Sequence, residues 1–354
     1  MIHREYSAEG AGSGEPGAVA GARGSMSIFS WKKDVERTTR EGEILAEQGK
    51  YEEALAAFSL ALESAPDDGE LLFKKGLVLK AMGQFERALQ SFEQALSLSS
   101  DQSQCWYQKG IVLSRMGRVE EALPCFDRVI TLSPGQAVVA WYERGVSLGK
   151  LGRYEEALES WNQVIQKDPK YAVAYYSKGI VLSFLGRYDE AAASFDRALE
   201  VYPRSADLWY QKGLALERMD RHDRAMKCFE MAVSIDPRHI DANIEMGILL
   251  EHEGLYDRAL PFYERVLRID PPNARAWYEK GTTLQKMGKI EEALASFDRA
   301  LAQNPDSIIV LFNKGMVLVT MGRTADALQA FDAALAVQDV PEIRKIRDAL
   351  ASSG

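Results

Sequence analysis

The 354-residue chain is 46% hydrophobic and 27% charged, with 43 Lys plus Arg against 52 Asp plus Glu and a net charge of −9. This acidic balance speaks against nucleic acid as a partner, which calls for clustered Lys and Arg on a basic background. No apolar run is long enough for a membrane helix, so no membrane partner is expected.

Taken in order, the first 25 residues are rich in Gly, Ala and Ser and lack the apolar core of a signal peptide. They predict a disordered tail, with residues 1–34 as tail and lead-in. Met26 follows the Gly/Ala/Ser stretch directly and is expected to be the biological start.

From residue 35 onward one Gly recurs: Gly42, Gly76, Gly110, Gly145, Gly179, Gly213, Gly247, Gly281 and Gly315. The step is 34 residues, with one of 35 between the third and fourth. Twelve residues after each Gly stands an Ala, from Ala54 through Ala191 to Ala327, and four residues later a large ring, such as Phe58, Trp161, Phe229 or Tyr263. A Pro closes most of the segments, for example Pro66, Pro169 and Pro237.

Within one segment the residues Trp209, Lys212, Gly213 and Leu216 share one helical stripe, and Ala225, Phe229 and Ala232 share another. Two helices per segment follow, joined by a turn that usually contains Gly. Neither stripe can be buried inside one segment, so neighbours must stack into a continuous core.

These residues resemble the tetratricopeptide repeat (TPR), with its aromatic, Leu, Gly and aromatic on helix A and Ala, aromatic, Ala and closing Pro on helix B. On that register nine repeats occupy 35–68, 69–102, 103–136, 138–171, 172–205, 206–239, 240–273, 274–307 and 308–341. The resemblance implies an all-α helix-turn-helix repeat solenoid, wound as a right-handed superhelix, with A helices on the concave side.

The first repeat departs from the pattern with Thr38 and Glu41, which suits an N-terminal cap. Pro124 and Pro261 stand early in helix B of the third and seventh repeats, where a lost N–H bond is expected to bend the helix. Residues 342–354, with Ile343, Ile346 and Leu350 on one face, predict a helix that seals the last repeat.

Repeat position 7 carries Lys75, Lys109, Lys178, Lys212, Lys280 and Lys314, with Arg144 in the fourth repeat. Their stems are read as covering the core edge while the charged heads reach water or a carboxylate, in preference to phosphate binding. Cys105, Cys125 and Cys228 form no metal or disulfide pattern and read as small buried hydrophobes in a reducing compartment.

The groove implied by the resemblance is lined at position 5 by Phe73, Tyr107, Tyr142, Tyr176, Tyr210, Tyr278 and Phe312, with Ile244 in the seventh repeat. These rings either pack between successive A helices or form a track for a peptide of a protein partner, and the two roles are compatible. Groove charge tilts acidic through Asp207, Glu217, Asp241, Glu245 and Glu251, which either receives a basic stretch or is an ordinary solvated wall. Position 5 never carries Lys, so the family's carboxylate clamp for chaperone C-terminal tails is not expected.

The four His residues are scattered, and no nucleophile elbow, phosphate loop or metal motif appears, so neither catalysis nor a cofactor is expected. The reading is a non-catalytic cytoplasmic scaffold or adaptor that binds a peptide segment. Its alternatives are a self-assembling structural solenoid and a non-catalytic recruiting subunit of an enzyme complex.

Overall fold

The computed structural model describes residues 28–352, so the predicted tail over 1–25 and the expected start at Met26 lie outside the described residues. Nineteen α-helices and no strand occur among the described residues, in two compact units, one ending at Val112 and one beginning at Leu113. The N-terminal unit holds α1 (Ile28–Glu47), α2 (Tyr51–Ser64), α3 (Gly69–Ala81), α4 (Phe85–Leu98) and most of α5 (Ser103–Arg115).

The C-terminal unit holds α6 (Val119–Leu132), α7 (Val138–Lys150), α8 (Tyr154–Lys167), α9 (Ala172–Phe184), α10 (Tyr188–Val201), α11 (Ala206–Glu217) and α12 (His222–Ile235). It continues through α13 (Ile240–His252), α14 (Tyr256–Ile269), α15 (Ala274–Lys286), α16 (Ile290–Gln303), α17 (Ile308–Thr320), α18 (Thr324–Val337) and α19 (Pro341–Ser352). Odd-numbered helices through α17 are the A helices and even-numbered ones the B helices of an all-α repeat solenoid. Among the described residues no helix is long and apolar enough to cross a membrane.

The recurring Gly is required because each A helix crosses its B helix over an aromatic ring. A Cβ built on Gly213 would stand 2.5 Å from Phe229 Cε1, and one on Gly179 would stand 2.6 Å from Phe195 Cε1. Phe195 and Phe229 are wholly buried, as are Ala191 and Ala225 beside them. Ring, Gly and Ala therefore form one close-packed layer in each of these repeats.

B helices begin after a turn residue in the left-handed region, and Gly fills it at Gly186 with φ 74° and Gly254 with φ 73°. The sixth repeat has Asp220 there, at φ 56°. An L side chain pays a steric cost in this region that Gly escapes. Asp220→Gly is therefore expected to raise stability by about 1 kcal/mol, read as an upward shift of the urea midpoint.

Several features depart from strict periodicity. Helix α1 is 20 residues long and starts upstream of residue 35, because neither Gly nor Pro interrupts the stretch from Ile28 to Glu41. Pro124 and Pro261 lie inside α6 and α14, yet both helices keep 14 residues. The carbonyls these prolines leave unbonded belong to Glu120 and Asp257, which are exposed, so water can satisfy them. Residues Pro134–Gln136 form a 3-10 turn before α7, and the additional residue Ala137 is buried.

Four lysines of the A-helix ladder bind carboxylates of the preceding B helix, and Lys178 binds the Asn162 amide oxygen of α8 instead. Lys212 meets Asp196 at 2.6 Å, Lys280 meets Glu264 at 3.0 Å and Lys314 meets Asp298 at 2.7 Å. Lys109 pairs in the same way with Glu93 at 3.0 Å inside the N-terminal unit. Lys109, Lys212 and Lys280, and Arg144 at the same repeat position, also stand over the Trp three residues earlier, as Lys212 does over Trp209 at 5.2 Å. At the C-terminal end, Ile343 of α19 is buried against the last repeat, with Ile346 and Leu350 packed beside it.

Candidate functional site

Within the C-terminal unit successive A helices approach one another, α7 with α9, α9 with α11, α13 with α15 and α15 with α17. Among the described residues no two successive B helices pack as extensively. Helices that lie closer together line the inner side of a curved stack, so the A helices form the inner face of this unit.

Side chains of adjacent A helices join across that face. Tyr142 Oη lies 3.4 Å from Ser177 Oγ, and Asn313 Nδ2 donates to Tyr278 Oη at 3.4 Å. The position-5 rings are half-buried, and most lean on an aromatic ring behind them. Tyr176 meets Phe195 with centroids 6.3 Å apart, Tyr210 meets Phe229 at 6.0 Å, Tyr278 meets Phe297 at 6.2 Å and Phe312 meets Phe331 at 6.1 Å. Tyr142 leans instead on Tyr171, the last residue of the same repeat, at 5.5 Å.

Each ring therefore has one edge in the core and another at the surface, an arrangement that holds an aromatic rigidly. In the N-terminal unit Phe73 leans on Phe92 at 5.9 Å, and Tyr107 is half-buried. The ladder breaks at the seventh repeat, where Ile244 is wholly buried. Burial pushes the Tyr176, Tyr210 and Tyr278 hydroxyls up, Tyr210 to about 12. They stay protonated at neutral pH and can donate hydrogen bonds.

The five acids expected in the groove divide. Asp207 and Asp241 are exposed, and Asp207 approaches His239 Nε2 at 3.3 Å. Glu245 and Glu251, expected from sequence either to receive a basic stretch or to form a solvated groove wall, are buried and ion-paired. Arg275 donates to Glu245 at 2.7 Å, and Lys286 donates to Glu251 at 2.6 Å. Glu251 also accepts from the Thr283 hydroxyl.

Glu217 is half-buried and makes no salt bridge; burial raises its carboxyl above the usual range, helped by Glu245. A sixth carboxylate, Glu279 on α15, lies within electrostatic reach of Glu245 and Glu251. It too is half-buried without a salt bridge, and burial with the neighbouring Glu251 charge pushes its carboxyl up to about 7. The Tyr263 hydroxyl of α14 is fully buried where that helix crosses Gly247 of α13. Its shift is upward, caused first by burial and then by the Glu251 and Glu279 charges, with a hydrogen bond to Thr283 acting the other way.

Glu279, Tyr263 and the cations Arg275 and Lys286 escape a reading based on groove positions alone. The available signal is the 34-residue interval between Glu245 and Glu279, both at position 6. A second signal is the hydroxyl-bearing Tyr263 where eight other repeats have Phe or Trp.

A stacked array of helical hairpins with a ring-lined inner face defines the class, a helical-repeat interaction module. Tetratricopeptide repeat models match residues 138–171, 176–240, 250–311 and 284–350. The chain belongs to the tetratricopeptide repeat family, whose members are generally protein-interaction scaffolds. A model described as anaphase-promoting complex, cyclosome, subunit 3 matches residues 47–129, well under half of the chain.

Among solved structures, the C-terminal part of a TPR repeat-containing protein from Cytophaga hutchinsonii is 17% identical with a TM-score of 0.60, covering 67% of this chain and 97% of that one. A tetratricopeptide repeat protein from Parabacteroides merdae is 20% identical with a TM-score of 0.51, covering 71% and 98%. At these identities the likeness concerns the fold alone. YrrB, described as a TPR protein with an unusual peptide-binding site, is 28% identical with a TM-score of 0.48, covering 53% and 97%. No curated protein matches the chain.

Proposed function

We propose that the protein is a non-catalytic cytoplasmic scaffold that holds a peptide segment of a partner protein along the inner face of its C-terminal unit. The observation that carries this reading is the row Tyr142, Tyr176, Tyr210, Tyr278 and Phe312. These rings recur on successive A helices, except α13, with one edge anchored in the core and the other at the surface. Rigid rings lose little entropy on binding, and the tyrosine hydroxyls supply donors for a peptide backbone.

The test compares the wild-type chain with a Tyr142→Ala, Tyr176→Ala double variant against peptides selected from a displayed random library. A loss of about ten- to a hundredfold in affinity is expected if both rings are anchors. Because both rings also pack on a second ring, the double variant is expected to melt earlier, so binding is measured well below its transition. Unchanged affinity at that temperature overturns the reading.

A further inference from the structure

Repeat position 16, the residue just before each B helix, is Lys or Arg in seven repeats. In six of them a carboxylate follows three residues later, as Glu121 follows Arg118 and Asp326 follows Arg323. The sixth repeat is the exception, because Arg221 is followed by Arg224. Arg187, one repeat earlier, shows the complete arrangement. Its Nε and Nη2 each donate to Glu190 at 2.7 Å, and its Nη1 reaches Glu155 of the preceding B helix at 3.4 Å. Arg221 keeps only the second of these contacts, with Nη2 3.3 Å from Asp189 of α10. A guanidinium fork that clasps a carboxylate in the neighbouring repeats is left open here.

The surroundings of Arg221 give a second observation. An open cleft of about 470 Å³ between α10 and α12 is lined by Lys212, Arg221, Arg224 and Lys227 above Trp209 and Cys228, with room for a side chain. Its two acids are already engaged, Asp189 by Arg221 and Asp196 by Lys212. Arg224 and Lys227 are exposed, and among the described residues neither has a carboxylate within salt-bridge distance. Asp220 and Asp223 stand beside Arg221 and Arg224 at the start of α12 without an ion pair to either. Like charges three residues apart on a helix repel, and a cation in the first turn opposes the helix dipole. An anion from outside the chain relieves both.

We infer that this cleft receives an aspartate or glutamate side chain from an acidic segment of a partner protein. Arg221 clasps it as Arg187 clasps Glu190, and Arg224 and Lys227 stand beside it. The planar fork matches a carboxylate through two parallel bonds. The chain's net charge of −9 opposes the larger anionic surfaces of nucleic acid and membrane. The cleft opens between B helices, so this inference does not depend on the peptide groove proposed for the inner face.

The experiment uses the full chain and Arg224→Glu, which supplies the missing carboxylate from the chain itself. That variant follows the pattern of six other repeats and is expected to keep or raise the urea midpoint. Dodecapeptides from a random displayed library are depleted on Arg224→Glu and then selected on wild type. Enrichment of Asp and Glu is expected in the survivors. Replacing the enriched acids by Asn or Gln should weaken binding to wild type about tenfold or more, as for loss of a charge-assisted bond. This arm needs no variant to fold.

Arg224→Gln with Lys227→Gln should weaken the acidic peptides, whereas Tyr142→Ala with Tyr176→Ala should leave them unchanged when measured below its transition. Survivors without acidic enrichment, equal affinity for acid and amide forms, or no survivor at all overturn the inference and leave the groove reading in place. Loss of the acidic peptides on the Tyr variant assigns them to the inner face and overturns it too. Retention of phosphatidylserine vesicles or duplex DNA by wild type, with no acidic peptide selected, gives the cleft a different partner and has the same result.

Discussion

Phe229→Ala is expected to cost about 3–5 kcal/mol, the usual range for removing a fully buried ring. Phe229 fills the crossing of α11 and α12, where Gly213 lies under its edge and Ala225, Cys228 and Leu216 surround it. Gly213→Ala attacks the same contact from the opposite side, since its Cβ would stand 2.5 Å from Phe229 Cε1. It should cost about 1–3 kcal/mol from overpacking, reduced by the better helix propensity of Ala, worth about 1 kcal/mol.

The two substitutions share one contact, so their effects should not add. With the ring gone, Gly213→Ala is expected to become neutral or stabilising. Urea denaturation of the two single variants and the double variant reads this directly. Additive losses would mean that Gly213 and Phe229 do not meet as described.

Glu279→Gln is expected to stabilise the protein at pH 8 and to leave it unchanged near pH 4.5. In the folded chain burial and the Glu251 charge raise this carboxyl from 4.5 to about 7. Between those values the folded state keeps a proton that the unfolded chain releases, so stability falls as pH rises through this window. Above about 7 the loss is complete.

Each pKa unit is worth about 1.4 kcal/mol, so the difference reaches roughly 3 kcal/mol. Gln stays neutral throughout and avoids the loss. Glu217, whose carboxyl is also raised, titrates in both proteins and largely cancels in the comparison. The measurement is the difference in urea midpoint between variant and wild type at pH 4.5 and at pH 8. A difference that does not change with pH would show that Glu279 titrates normally in the folded chain.

Much of this fold is legible from spacing because the contacts that define a repeat are local. Gly213 and Phe229 are 16 residues apart, and each lies on a stripe that helical periodicity exposes. The aromatic row on the inner face is legible for the same reason, since it recurs once per repeat at a fixed offset. The start of α1 at Ile28 is not, because a repeat register says nothing about how far a capping helix extends beyond it.

The acidic group is the least legible part. Asp207, Glu217, Asp241, Glu245 and Glu251 look alike as acids at groove-facing or adjacent positions, yet Glu245 and Glu251 are buried and the two Asp are exposed. What separates them is Arg275, 30 residues from Glu245, and Lys286, 35 residues from Glu251. Both cations arrive from the following repeat.

The sequence by itself thus determined the helical repeat and the ring-bearing face, because both follow from a period that each repeat enforces on its own stripes. Only the tertiary structure decided which carboxylates are neutralised and that Glu279 joins them. Those outcomes depend on desolvation and on charges brought together from three A helices, and no local spacing encodes them.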